Sequence, residues 1–311
     1  MGRPKFWRDI LKTFLFLFLY NSFVYGLILS ASWKDAHLLP LQTEKIKVLD
    51  IKELVFPQES RFYGISDLAY KNEKLYALSD KGVLFLLSLK IQNEKISSLQ
   101  LKQTYLLKNK KNKILKKNKT DAEGLCFKGD NLLISFERKH RIDLYNTKGQ
   151  KLQKIKLHPY LQNKKHFLRK NKGLESVIYS KKYGILTTPE LEKEGSSLHT
   201  LFSQKKLYRF FAKGSVTALE FINENTLLVL TREFHYLTRK RVTQLYSLYL
   251  DKCKDEKCRS EELASFKSED GFNIDNFEGL TKVSKNRYLM ISDDNGSFLQ
   301  KTLIVLFEVI P

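Results

Sequence analysis

The 311-residue chain lacks the short motifs that mark most enzymes. Gly64-Ile65-Ser66-Asp67-Leu68 has the serine of a G-x-S-x-G elbow but no second glycine. P-loop, G-x-G-x-x-G and H-E-x-x-H patterns are missing as well. A serine-hydrolase mechanism therefore has no support from any motif. Cysteine is scarce at 3, and the 6 histidines show no zinc spacing. Acids are in deficit, with 34 Asp+Glu against 55 Lys+Arg and a net charge of +21. A charge of this sign points to nucleic acid or a membrane surface. The excess is mostly lysine scattered among Asn and Ile, so no nucleic-acid partner is expected. The densest run, KNKKNKILKKNK from Lys108 to Lys119, reads as a solvated loop, with contact to anionic lipid as the alternative.

Long apolar runs are also rare, and the one present is at the N-terminus. Residues 1–12 form a basic region with Arg3, Lys5, Arg8 and Lys12. Residues 13–31, TFLFLFLYNSFVYGLILSA, are long enough to span a bilayer as a helix. Positive charge ahead of the run keeps that end in the cytoplasm and exports the rest. The segment reads as an uncleaved signal anchor, with a cleaved signal peptide as the competitor. No cysteine follows directly, which argues against a lipoprotein. Residues 32–44 read as a linker and 45–311 as the exported domain. The expected location is the periplasmic side of the inner membrane, or the periplasm or exterior if the signal is cleaved. In an oxidising compartment Cys253 and Cys258, flanking KDEK, can close a small hairpin disulfide. Free surface thiols are the alternative. Cys126 lies in a strand and reads as a small buried apolar residue.

What the chain has in abundance is strand. A two-strand unit runs from Asp121 to Arg138, DAEGLCFKGDNLLISFER, and returns as NFEGLTKVSKNRYLMISDDN. Weaker copies open at Ser66, Glu175 and Thr217 and close at Asp80, Glu190 and Glu233. Each is followed by another strand pattern rich in Val, Ile, Leu, Tyr and Phe. Such repeats predict an all-β protein, a β-propeller of five blades, with six as the alternative. The second repeat is long enough to hide a sixth. The strand at 45–56 is expected to complete the last blade and close the ring through the chain ends. A monomer is expected.

In a propeller blade the start of strand one and the end of strand two share a face. Ser66, Glu123, Glu175, Thr217 and Glu278 should therefore ring one mouth of the channel. Asp80, Glu137, Glu190, Glu233 and Asp293 should form a wider ring, with Arg138, Arg232 and His235 nearby. Close carboxylates must be protonated, paired or bound to a cation. Oxygen-only ligands favour Ca²⁺ or Mg²⁺. The structural alternative is that these acids cap strand ends and pair with Arg138 and Arg232.

DAEGLCF…NLLISFER, NKGLESVIY, LLVLTREF…LYSLYL and NFEGLTKV…YLMISDDNGSFLQKTLIVLFEV resemble the phytase-like propeller family, described as esterase-like activity of phytase. The resemblance covers roughly residues 60–310. Departures are Ser66-Asp67 for Ser-Gly, Ser176 for Gly, and Thr217 for a carboxylate. The resemblance implies hydrolysis of phosphate monoesters or other esters, with Ca²⁺. On that reading Glu123, Glu175, Glu278 and Asp293 would hold the cation, and Arg138 and Arg232 the phosphate oxygens. His235 would protonate the leaving alcohol. A non-catalytic envelope propeller that binds a protein, glycan or phosphorylated ligand is the alternative. Mass spectrometry of the mature chain checks the anchor: an N-terminus within residues 1–12 is expected, and a start near Ser32 denies it.

Overall fold

Inner strands buried on both faces and outer strands that alternate between buried and exposed positions make up almost all of the regular structure. The computed structural model describes residues 29–30, 32–35, 43–116, 119–163, 173–190, 197–235, 237–238, 240–268, 275–297 and 299–310. The basic region and most of the apolar run lie outside them. Among the described residues no helix is long and apolar enough to cross a membrane.

Three strands precede the repeats: β1 (Leu29–Ser30), β2 (Ser32–Asp35) and β3 (Ile46–Val55). The first meander is β4 (Ile65–Lys71), β5 (Lys74–Ser79), β6 (Val83–Gln92) and β7 (Lys95–Leu106). The second is β8 (Ala122–Lys128), β9 (Asn131–Phe136), β10 (Arg141–Tyr145) and β11 (Lys151–Lys154), followed by the short helix α1 (Pro159–Gln162). The third is β12 (Leu174–Ser180), β13 (Gly184–Pro189), β14 (Leu198–Phe202) and β15 (Leu207–Phe211). The fourth is β16 (Ser215–Asn223), β17 (Thr226–His235), β18 (Lys240–Lys254) and β19 (Lys257–Lys267). The last is β20 (Asn276–Lys282), β21 (Arg287–Asp293) and β22 (Leu303–Val309). The described residues between β11 and β12 contain no further strand, only α1.

Neighbouring strands within each meander pair antiparallel, and the third and fourth meanders join into one eight-stranded sheet through a parallel bridge from β15 to β19. β3 supplies the outer strand of the last meander by pairing with β22, Leu303 opposite Glu53 and Val309 opposite Ile46. The two ends of the domain are thereby stitched together. β2, within the stretch expected as a linker, pairs with β3, and β1, at the end of the run expected to span the bilayer as a helix, is instead a strand paired with β7. The first strands touch in a closed order, β4 to β8 to β12 to β16 to β20 and back to β4. The result is an all-β, propeller-like arrangement.

Turn chemistry follows the sequence. Asn72-Glu73, Asn93-Glu94 and Asp255-Glu256 all have positive φ and close two-residue hairpins. That is the primed turn whose twist matches the flanking strands. The last of these sets Cys253 opposite Cys258, and the two form a disulfide. Cys126 is buried and free.

Four apolar clusters fill the spaces between meanders. One joins the first and last through Phe85, Leu87, Ile291 and Ile304, and another joins the first and second through Leu78, Leu84, Ile134 and Phe136. The remaining two run through the second, third and fourth, and through the fourth and last. At the centre the first strands approach too closely for ordinary side chains. A Cβ on Gly279 would lie 2.8 Å from the Asp67 Cα, and one on Gly124 would lie 2.7 Å from the Val177 nitrogen. Gly279→Ala is expected to destabilise the fold by about 1–3 kcal/mol, read from the denaturation midpoint; an unchanged midpoint denies the close approach.

Candidate active site

Each first strand leaves regular register at the polar residue that opens the repeat, and β16 does so a second time near its end. The shift falls between Ile65 and Asp67, Ala122 and Leu125, Leu174 and Ser176, Val216 and Ala218, and Phe277 and Gly279. The displaced residues are Ser66, Glu123 (with Gly124), Glu175, Thr217 and Glu278. A β-bulge re-aims a side chain that a straight strand would turn into the sheet face. Hydroxyls of the second strands brace the bulges. Ser135 Oγ accepts from Gly124 N at 2.8 Å and donates to the Glu175 carbonyl at 3.2 Å, and Thr187 Oγ1 donates to the Ser176 carbonyl at 2.6 Å.

The bulges and the second-strand ends together gather carboxylates. Ligand oxygens of Asp121, Glu123 and Glu137 lie within 4.8 Å of one another, and so do those of Glu137, Glu175 and Glu190. Glu137 belongs to both groups. It, Glu175 and Glu190 are buried. Burial, then the charge of Glu278, pushes the Glu123 pKa well above the carboxylate range. Burial, then Glu190, does the same to Glu175. Asp293 is pushed up to about 8 by burial and the Glu278 charge, although Asn295 N donates to its Oδ1 at 2.6 Å.

Arg232 is the cation set among these acids. Its Nη1 lies 3.1 Å from Glu278 Oε1 and its Nη2 3.7 Å from Glu190 Oε1. Nη1 also donates to Asn276 Oδ1, and Asn276 Nδ2 donates to Glu278 Oε1 at 2.7 Å. Burial works against the Arg232 charge, but Glu278, Glu190, Glu175 and Asp293 outweigh it. The Nε of Arg232 is buried with no hydrogen-bond partner. Glu190, Arg232 and Glu278 line a cleft of about 830 Å³ whose rim includes Phe234, Arg241 and Leu299.

The expected residues are not all in one place. Glu123 and Glu175 each join a three-carboxylate group, whereas Glu278 is committed to Arg232. Glu278 and Asp293 belong to neither group of three. Arg138 is largely exposed and pairs with Asp121 at 3.0 Å. His235 is exposed, lies 3.7 Å from Glu233, and lines a neighbouring cleft with Lys213 and Lys240. Glu233 accepts from Gln244 Nε2 at 2.9 Å.

Sequence reasoning passed over Asp67. Its carboxylate is fully buried and accepts from Leu125 N at 2.6 Å, Leu68 N at 2.8 Å and Leu280 N at 3.0 Å. One side chain thus ties β4 to β8 and β20. Burial raises its pKa well above the usual range, against the pull of the three N–H groups. The signal was available: Asp67 replaces the glycine found at Gly124 and Gly279. Glu220 plays a similar part, accepting from Lys282 N at 3.0 Å.

An all-β, propeller-like domain with buried carboxylates converging at one end of its inner strands is the class defined by fold and site. The chain belongs to the phytase-like family, described as esterase-like activity of phytase, whose profile matches residues 60–296. No curated protein matches the chain. Among solved structures it is similar to the PQQ-bound aldose sugar dehydrogenase of Streptomyces coelicolor at 8% identity, covering 85% of this chain and 98% of that one, with a TM-score of 0.44. It is also similar to the glutaminyl cyclase of Myxococcus xanthus at 9% identity, covering 86% and 97%, with a TM-score of 0.44.

These carboxylates bind protons more tightly folded than unfolded. Asp293 titrates at about 8 in the fold against about 3.9 in an unfolded chain. Between those values the native state holds the extra proton, so stability is greatest below the unfolded value and falls as pH rises toward the folded one. In chelator, Tm is expected to fall from pH 5 to pH 8. Glu175→Gln should raise Tm at pH 8 and flatten that slope; thermal melts in which it lowers Tm at pH 8 contradict the repulsion.

Proposed function

We propose that this protein is a metal-dependent ester or phosphate-ester hydrolase on the periplasmic side of the inner membrane, held there by the apolar run 13–31, whose last described residues, Leu29 and Ser30, already belong to the domain as β1. The observation that carries the reading is the buried group Glu137, Glu175 and Glu190, with ligand oxygens within 4.8 Å. The reading takes the domain as a five-bladed propeller and a monomer, with no nucleic-acid partner.

The donor set fits a hard divalent cation, Ca²⁺ in the first instance. All its ligand atoms are carboxylate oxygens, and two of the pKa values pushed up by burial, those of Glu123 and Glu175, fall in the two groups. Glu137, Glu175 and Glu190 would hold the ion, with Asp121 and Glu123 on the other side of Glu137. Bound there, it would supply charge neutralisation and Lewis acidity toward a phosphoryl or carbonyl oxygen. Arg232 lines the cleft and is the guanidinium a phosphate oxygen would meet there. Asn276 and Glu278 fix the guanidinium in place. Burial and the Glu278 charge push the Asp293 pKa up to about 8 in the metal-free protein, which favours its acid form. Asp293 is therefore better suited than the exposed His235 to protonate a leaving alcohol. The cleft of about 830 Å³ has room for a substrate much larger than a phosphate ion.

The test uses the full chain in detergent with p-nitrophenyl phosphate and p-nitrophenyl acetate. Hydrolysis that depends on Ca²⁺ is expected, with Arg232→Lys lowering kcat/KM roughly tenfold, about 1.4 kcal/mol. Glu137→Gln should abolish both calorimetric Ca²⁺ binding and turnover. Wild-type rates in the Glu137→Gln, Glu175→Gln double variant sink the site. Ca²⁺ binding with no turnover of either ester would leave a binding module in its place.

A further inference from the structure

The cleft at the mouth carries apolar residues where a soluble substrate would need none. Phe234 and Leu299 sit on its rim and are 48% and 79% exposed, and Leu237, in the turn just beyond, is fully exposed. Phe234 lies at the end of β17 with Leu237 in the turn beyond it, and Leu299 comes from the β21–β22 loop; Phe234 and Leu299 line one cleft. Scattered exposed leucines need no explanation, but these converge on the opening that leads to Arg232 and Glu278. Basic groups stand beside them. Lys213, Lys240 and Arg241 line this cleft and its neighbour, and the Arg241 guanidinium lies 5.8 Å from the Phe234 ring centre. Apolar tips flanked by lysine and arginine are the composition of a surface that sits in the headgroup layer of an anionic membrane.

The path of the chain points the same way. Ser32, directly after the 13–31 apolar run, pairs with Val55 at the end of β3. Leu54 N, one residue back, donates to the Thr302 carbonyl at 2.8 Å, and Thr302 Oγ1 donates to Asp294 Oδ2 at 2.9 Å. Asp294 follows Asp293 in the loop that carries Leu299. The last described residues of the apolar run, Leu29 and Ser30, pair with Leu101 and Gln100 on β7, and the chain then passes Val55 near the mouth. The first-to-second strand turns at the other end, including Gly129-Asp130 and Asn223–Asn225, carry no large exposed apolar side chain.

We propose that the mouth face docks on the anionic lipid surface of the membrane that holds the N-terminus, with Phe234, Leu237 and Leu299 entering the headgroup layer and Lys213, Lys240 and Arg241 meeting lipid phosphates. The cleft then opens onto the bilayer rather than away from it. The inference rests on the anchored reading of residues 13–31 but not on hydrolysis. Glu233 and Asp275 line the same clefts, so docking requires Lys213, Lys240 and Arg241 to outweigh these acids at the rim.

Cys126 is buried and Cys253 is bonded to Cys258, so an introduced surface thiol is the one that reacts. The full chain bearing Leu237→Cys, Leu299→Cys or Asp130→Cys is labelled with an environment-sensitive dye. It is then reconstituted in phosphatidylcholine vesicles with or without phosphatidylglycerol, with a lipid-borne nitroxide quencher. Labels at 237 and 299 are expected to shift to the blue and lose fluorescence to the quencher in the anionic vesicles. The label at 130, on the far turn, should stay aqueous. Adding Lys213→Glu and Lys240→Glu, with Tm unchanged, should return quenching at 237 to its level in neutral vesicles. Aqueous labels at 237 and 299, or quenching at 130 instead, overturn the proposal. If the mature chain starts near Ser32, the anchor fails by itself. That chain is floated with the same vesicles, and absence of protection at 237 and 299 then overturns docking too.

Discussion

Close approach of the first strands at the centre is the constraint on which the rest depends. Five strands can meet around one axis only where backbone replaces side chain. Gly124 and Gly279 provide that space, and Ser176 and Ala218 are the small residues at the matching points. Each strand also bulges by a residue, and Ser66, Glu123, Glu175, Thr217 and Glu278 are the residues displaced. The packing of the core and the gathering of the acids therefore have one cause. Asp67 uses the same crowding differently: with no room for a free carboxylate, it becomes a clasp for three backbone N–H groups on β4, β8 and β20.

Crowding has an electrostatic consequence. Carboxylates from four meanders are brought near one another out of bulk water, with Arg232 set between Glu190 and Glu278. Each additional charge raises the proton affinity of the others. A fold that stores this repulsion at one end is less stable without a cation or proton there, and this is the usual compromise at a functional site. The exposed pairs, such as Arg138 with Asp121, contribute little by comparison. Arg232 differs because its partners are buried and hold the guanidinium in a fixed orientation.

The proposed activity and the proposed membrane contact meet at the cleft. Acids and Arg232 form its floor; Phe234, Leu299 and Arg241 form its rim. A polar floor under an apolar, basic rim suits an amphipathic ligand whose head is anionic. Membership of the phytase-like family is consistent with an ester as that ligand, while the family alone does not fix a reaction.

Strand identity, turn positions and the repeat were legible in the sequence because each depends on local patterning: alternation, Asn-Glu and Gly-Asp turns, and the recurring Glu-Gly-Leu. The pairing of residues 46–55 with the last strand was legible too, since the last repeat is one strand short. The common face of Glu123, Glu175 and Glu278 followed from antiparallel geometry. Which acids touch did not follow. Glu137, seen only as a strand end, proved to be the residue shared by both carboxylate groups, and Glu278 turned to Arg232. His235 and Arg138 carry the right chemistry but stand in solvent. Those outcomes depend on strand twist, on bulges and on the angle between neighbouring sheets. Such quantities arise only when all the meanders pack together, because a side chain's neighbours in the next meander lie roughly forty residues or more away along the chain.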